Sequence, residues 1–87
     1  MAKAYPRITM YTRPWCGSVM RIKYWLDQQG IPYQEIDVSR DLEAAHRVEA
    51  LNGGHQSVPT ILFDGEHVAT EPSTAELERL LAQYAGT

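Results

Sequence analysis

The spacing of apolar residues changes period several times along the chain, and each change marks an element. "RITMYT", Arg7 to Thr12, is crowded with β-branched and aromatic residues and stops at Arg13-Pro14, which predicts a strand. From Cys16 the apolar residues Val19, Ile22, Trp25 and Leu26 recur at three- and four-residue spacing with Arg21, Asp27 and Gln28 between them. That pattern predicts a helix opened by the cysteine and ended at Gly30. "YQEIDV", Tyr33 to Val38, alternates polar with apolar residues after Pro32 and reads as a second strand. Ser39 or Asp41 can cap a second helix, which carries Leu42, Ala45, Val48 and Leu51 and stops at Asn52-Gly53-Gly54. "TILF", Thr60 to Phe63, is a short apolar run, Asp64-Gly65 is a two-residue hairpin signal, and "EHVA" returns as its partner strand. After Pro72, Ser73 and Glu76 form a capping box for a third helix. Its stripe is Leu77, Leu80, Leu81 and Tyr84, and Gly86 follows.

The order strand, helix, strand, helix, strand, strand, helix constrains the topology. Two early strands joined through a helix pair in parallel by a right-handed crossover, and the hairpin adds an antiparallel pair. A mixed four-stranded sheet with helices on its faces is the packing expected of such an α/β chain. The 87 residues form a single domain, 1–87, with no internal repeat or linker.

Composition narrows the function. Hydrophobic residues make up 44% and charged residues 22%, ordinary values for a soluble globular domain. No apolar run reaches the roughly 20 residues that span a bilayer, so no membrane is expected. "MAKAYPRITMYT" lacks the apolar segment and cleavage site of a secretory signal, and a cytoplasmic location is expected. A net charge of −3 argues against a nucleic-acid partner held through phosphates. Charge is nevertheless unevenly spread: Lys3, Arg7, Arg13, Arg21 and Lys23 all precede the first acid, Asp27, so residues 1–26 carry +5 and the remainder −8. Lys3 and Arg7 read as solvated cations, whereas Arg13, Arg21 and Lys23 lie close in sequence to the cysteine.

Cys16 is the only cysteine, which excludes an internal disulfide and a zinc site of paired thiolates. It follows Pro14 and Trp15 where a strand gives way to a helix. Helix N-termini present unpaired N–H groups and the positive end of the macrodipole, and there, as beside cations, a thiolate is favoured over a thiol. The thiolate is the nucleophile. Pro14 directs the chain into the turn and Trp15 offers an apolar wall beside the sulfur. Most lone cysteines are small buried hydrophobes, but strand end, Pro-aromatic-Cys-Gly and helix start coincide here.

"MYTRPWCG" resembles the strand and active-site turn of the glutaredoxins, a family of thioredoxin fold, and "SVPTILFDGE" resembles their cis-proline segment. Within the family "WCG", "RIK", "NGGHQSVPT" and "EPSTAEL" are most similar to the actinobacterial mycoredoxins, and the resemblance covers nearly the whole chain. It implies a cis Val58-Pro59 bond lying against Cys16, with the Val58 backbone pairing a bound thiol substrate like an added strand. It also implies a thiol-disulfide oxidoreductase without a tightly bound cofactor. A low-molecular-weight thiol, mycothiol or glutathione, would be the co-substrate and thiol-modified proteins the partners of a monomer. Cys16 would be the nucleophile, with Tyr11, Arg13, Pro14, Trp15, Val58, Pro59 and Thr70 contacting the substrate.

The sequence departs from the dithiol pattern. The motif reads Cys16-Gly17-Ser18-Val19, so the resolving thiol is absent and a monothiol reaction is expected, in which Cys16 carries the small thiol until a second molecule removes it. Two alternatives stand beside it: a dimer holding an iron-sulfur cluster on Cys16 and small thiols, and a lapsed redox domain serving only as an interaction module. The region before the last helix reads "ATEPST", without the Gly-Gly-x-Asp-type turn of glutathione-binding relatives. Ser18 could donate to the sulfur or cap the helix. His46, His55 and His67 fit no metal-ligand spacing and read as surface residues; Tyr24, Trp25 and Tyr33 read as core or partly covered aromatics.

Overall fold

The computed structural model describes residues 5–85, so Lys3 and Gly86 lie outside the described residues. The elements are β1 (Ile8–Thr12), α1 (Gly17–Gln28), β2 (Gln34–Asp37), α2 (Leu42–Leu51), β3 (Thr60–Phe63), β4 (His67–Thr70) and α3 (Thr74–Ala85). The sheet order is β2-β1-β3-β4. β1 pairs in parallel with β2, placing Tyr11 opposite Ile36, and antiparallel with β3, placing Met10 opposite Ile61. The expected mixed sheet is therefore present.

Strand alternation sorts the core into two layers. Ile8 and Met10 of β1 and Ile61 and Phe63 of β3 face one side, where they meet Ile22 and Leu26 of α1 and Leu77 and Leu81 of α3. Tyr11 and Leu62 face the other side, under Ala44, Ala45 and Val48 of α2. β3 is buried at all four positions because helices cover both its faces, which is why it reads as an unbroken apolar run.

The helix ends follow the sequence closely. α1 closes in a Schellman motif: Gly30, at φ 67°, donates to Asp27 O, and Ile31 donates to Leu26 O at 3.0 Å. Ile31 and Leu26 join the same core cluster. Of the two candidate caps for α2, Asp41 is the one used, its Oδ1 accepting from Ala44 N at 3.1 Å. α2 ends with Gly53 at φ 66° and Gly54 N donating to Glu49 O at 2.7 Å. The capping box of α3 is formed, with Glu76 N donating to Ser73 Oγ at 3.1 Å and Ser73 N to Glu76 Oε1 at 3.4 Å.

Four expectations need correction. The hairpin's ladder begins at Phe63 opposite His67, so β4 is shifted by one residue and the connection is Asp64-Gly65-Glu66. Asp64 and Gly65 both have positive φ, and Asp64 Oδ1 accepts from Arg7 N at 2.7 Å, tying the turn to the start of β1. β2 is shorter than Tyr33 to Val38. Leu42 is 72% exposed, because residues three apart drift by about 60° around a helix and Leu42 ends about 120° away from buried Val48. Tyr24 is 67% exposed, since it falls nearly opposite the buried stripe of Val19, Ile22 and Leu26. Trp25 and Tyr33 are partly buried as expected, and the three histidines lie at the surface.

Candidate active site

The site begins where β1 runs out. Thr12 is buried; its carbonyl accepts from Val38 N at 2.9 Å and its hydroxyl donates to Glu35 Oε2 at 2.9 Å. Glu35 in turn pairs with Lys23 Nζ at 2.9 Å, so β1, β2 and α1 are joined directly behind the cysteine turn. Lys23 is thereby committed to Glu35, which holds its ammonium above the ordinary lysine range.

Arg13, Pro14 and Trp15 make the turn. Trp15 stands in the left-handed region at φ 61°, a conformation that costs a bulky L-residue roughly 1–2 kcal/mol. Its side chain is 97% exposed. The expected wall beside the sulfur is therefore not formed in the free protein, because the left-handed backbone turns the ring outward to solvent. Cys16 is the N-cap of α1, with φ −103° and ψ 116°, and its carbonyl accepts from Met20 N at 3.1 Å. No side chain caps this helix, no acid lies in its first turn, and among the described residues Ser18 makes no side-chain hydrogen bond. The sulfur is half-buried and free. Three positions on, where a dithiol protein places its second sulfur, Val19 is buried in the protein at 3% exposure.

The second expected feature, the cis-proline, lies in residues 52–60. Val58-Pro59 is cis, Pro59 is buried, and Val58 is partly buried against the α2 core layer. Several bonds hold this segment. Asn52 Nδ2 donates to Thr60 Oγ1 at 3.0 Å, Thr60 Oγ1 donates to Ser57 O at 2.6 Å, and Thr70 Oγ1 donates to Asn52 Oδ1 at 2.6 Å. Glu71, itself at φ 47°, donates its N–H to Pro59 O at 2.8 Å. Thr70 is thus joined to the proline segment through Asn52. The Arg13 guanidinium donates to Gln56 Oε1, and Gln56 Nε2 donates to Glu49 Oε2 at 2.6 Å.

Of the residues singled out from sequence, Arg13 and Thr70 are bonded to the loop and strand that flank Val58-Pro59, Arg13 through Gln56 and Thr70 through Asn52 and Thr60, while Pro14 and Trp15 lie exposed in the turn. Tyr11 is 2% exposed: alternation on β1 directs it beneath α2, so in the free protein its ring serves the core rather than a surface for an adduct. Gln56, Asn52 and Glu71 were not legible as site residues. An isolated Gln or Glu carries no motif, and Asn52 reads only as a helix stop. Among the described residues no group of three His, Cys, Asp or Glu side chains is placed to hold a metal ion, and no helix is long and apolar enough to cross a membrane.

A cysteine at the N-cap of the first helix of a mixed sheet, followed by a cis-proline ahead of the third strand, defines a thiol-disulfide oxidoreductase of thioredoxin fold. The glutaredoxin family model matches residues 8–68, and the chain belongs to that family. A glutaredoxin of Mycobacterium tuberculosis is 38% identical over 79 residues, covering 91% of this chain and 94% of that one. Mycoredoxin 1 of Corynebacterium glutamicum is 39% identical over 71 residues, 80% and 86% of the two chains. Among solved structures, NrdH-redoxin of Escherichia coli superposes with a TM-score of 0.73 at 28% identity, covering 85% of this chain and 93% of that one.

Proposed function

We propose that this glutaredoxin is a monothiol enzyme that removes low-molecular-weight thiols from protein mixed disulfides. The observation that carries the reading is the pairing of a lone N-cap cysteine with buried Val19 at the position of a resolving sulfur. The Cys16 thiolate attacks the small-thiol sulfur of the mixed disulfide. That S–S bond breaks, the target leaves as a thiolate and takes up a proton, and a new disulfide joins Cys16 to the small thiol. A second small thiol, as thiolate, then attacks the adduct, and the symmetrical small disulfide departs while Cys16 is regenerated. No internal step is needed.

Val58 offers its backbone to the bound disulfide in the manner of an added strand, and Pro59 shapes that edge. Arg13 supplies charged hydrogen-bond donors for polar oxygens of the small thiol. Pro14, Trp15 and Thr70 border the adduct, and Tyr11 supports the turn from below. The enzyme acts as a monomer in a reducing, cytoplasmic compartment, with mycothiol or glutathione as the small thiol; the mycoredoxin relative favours mycothiol.

Oxidation with a small-thiol disulfide followed by intact mass measurement tests the mechanism. The expected product is a one-to-one adduct on Cys16 that persists until external thiol is added and then discharges at a rate proportional to thiolate concentration. A product that is mainly covalent dimer overturns it. Turnover of one mixed disulfide with mycothiol and with glutathione identifies the co-substrate.

A further inference from the structure

The outer face of α1 is apolar where a helix of this kind should be polar. Met20 is 64% and Tyr24 67% exposed, four residues apart and within about 40° of one another around the helix. Gly17, two turns before Tyr24, lies on the same stripe, and a Cβ built there would meet nothing within 4 Å. Trp15 and Met20 occupy the N′ and N4 positions, which in many helices pack on each other as a hydrophobic staple. Here the staple is not made, because Trp15 is turned outward by its left-handed backbone and both side chains stand open. An apolar strip therefore runs from the cysteine turn along α1, with open space in front of its first residue. Contiguous exposed apolar surface of this kind marks an interaction site.

Charge identifies what fits it. Arg21 lies on the same face, within about 60° of both Gly17 and Tyr24, and among the described residues it has no ion-pair partner. Arg13 flanks the turn, and from residue 5 to Leu26 the chain contains no acid. The first carboxylate, Asp27, comes only beyond Tyr24. The strip is thus apolar with an unpaired cation beside it, starting at the reactive sulfur, and α1 contributes no carboxylate of its own before Asp27; the nearby Glu35 is paired with Lys23.

We propose that the face formed by Trp15, Gly17, Met20, Arg21 and Tyr24 docks the protein half of the mixed disulfide, accepting a segment with an apolar side chain and carboxylates next to its modified cysteine. The inference rests on the proposed reaction, for which it supplies the class of protein substrate. Met20 and Tyr24 cover the apolar side chain, Arg21 pairs with a carboxylate, and Gly17 lets the partner's backbone approach the helix start. The small thiol is held by Arg13, Thr70 and the Val58 segment, and Trp15, in the cysteine turn, borders both halves of the disulfide.

Binding can be measured apart from chemistry. The probe is a peptide with Leu and two Glu flanking a serine in place of the modified cysteine, titrated into Cys16→Ser protein while tryptophan emission is followed. A blue shift is expected as Trp15 is covered. A peptide with Ser and Lys in place of Leu and Glu should bind at least tenfold more weakly. Met20→Ser/Tyr24→Ser should weaken binding of the first peptide at least tenfold, and Arg21→Glu should do so with reversal of its salt dependence. All three side chains replaced are exposed, so these variants keep the fold. Equal binding of the two peptides, or unchanged binding by the variants, overturns the inference, as does a wild-type dimer in sedimentation that these substitutions dissociate. The proposed reaction is judged separately, by wild-type turnover of cysteine-mercaptoethanol disulfide, which the same substitutions should leave within about twofold.

Discussion

The guanidinium of Arg13 donates to the side-chain carbonyl of Gln56 across 43 residues of sequence. Arg13 lies three residues before Cys16 and Gln56 three before Pro59, so this one contact joins the turn that carries the cysteine to the segment that carries the cis-proline. Glu49 on α2 holds Gln56 from behind, at 2.6 Å. The relay is exposed and contributes little to stability, as surface polar contacts do. Its effect is positional: it fixes a cation three residues before the cysteine.

Removing that cation should therefore act on substrate affinity. A hydrogen bond to a charged group is worth about 1.5–3 kcal/mol, so Arg13→Ala should raise KM for a small-thiol mixed disulfide roughly tenfold or more with kcat little changed. Gln56→Ala should raise it less, in the same direction, while changing unfolding free energy by less than about 1 kcal/mol. Steady-state kinetics at several small-thiol concentrations provide the check, and unaltered KM in both variants would remove Arg13 from the site.

Trp15 pairs an unfavourable backbone with an exposed ring, and the two can be separated by glycine. Trp15→Gly relieves a left-handed conformation costing roughly 1–2 kcal/mol and gives back part of that through the greater freedom of unfolded glycine. Urea unfolding should show a variant as stable as the parent or up to about 1 kcal/mol more stable, with reduced turnover of protein mixed disulfides. A marked loss of stability would mean that the ring packs on the protein after all.

Asn52 joins three elements through one amide, accepting from Thr70 and donating to Val48 O at 2.9 Å and to buried Thr60. Asn52→Ala leaves these partners to find others, which should cost about 1–3 kcal/mol. Because Ser57, next to Val58-Pro59, is bonded into the same network through Thr60, activity should fall further than the loss of folded protein accounts for. Measuring turnover per folded molecule at a temperature well below the midpoint separates the two effects.

The Lys23–Glu35 pair gives a pH signature. Glu35 raises the Lys23 pKa above the ordinary 10.5, so the folded state holds this proton more tightly than the unfolded chain does. The stability linked to it is fully present below 10.5 and is lost as pH rises through the higher folded value. Both side chains are about a third exposed, and the pair itself is worth at most about 1 kcal/mol. The stability difference between the parent and Glu35→Gln should be constant from neutral pH to about 10 and shrink above it. Tyr33, whose pKa is raised by burial, titrates in the same alkaline range and in the same direction, so the difference between the two proteins is the quantity to follow. A difference that grows with pH would contradict the assignment.

Sequence alone determined whatever depends on neighbours along the chain. The strand-to-helix change at Cys16, the Schellman ending at Gly30, the Ser73–Glu76 box and the missing sulfur at Val19 are local, and each is visible as spacing or as a residue type that one conformation demands. Resemblance carried the cis Val58-Pro59 bond, which local physics alone would have read as trans. Tertiary structure decided everything set by direction in space. Tyr11 and Thr12 look equivalent at a strand end, yet alternation on a sheet covered on both faces buries Tyr11 under α2 and aims the Thr12 hydroxyl at Glu35. Leu42 and Tyr24 carry apolar side chains but fall on the wrong side of their helices, a matter of angle accumulated over several residues. Arg13, Gln56 and Glu49 meet only because β1, α2 and the proline segment converge at one end of the sheet. A hydrogen bond spanning 43 residues leaves no periodic trace in a sequence, since either partner is an ordinary surface residue until the fold brings the other beside it.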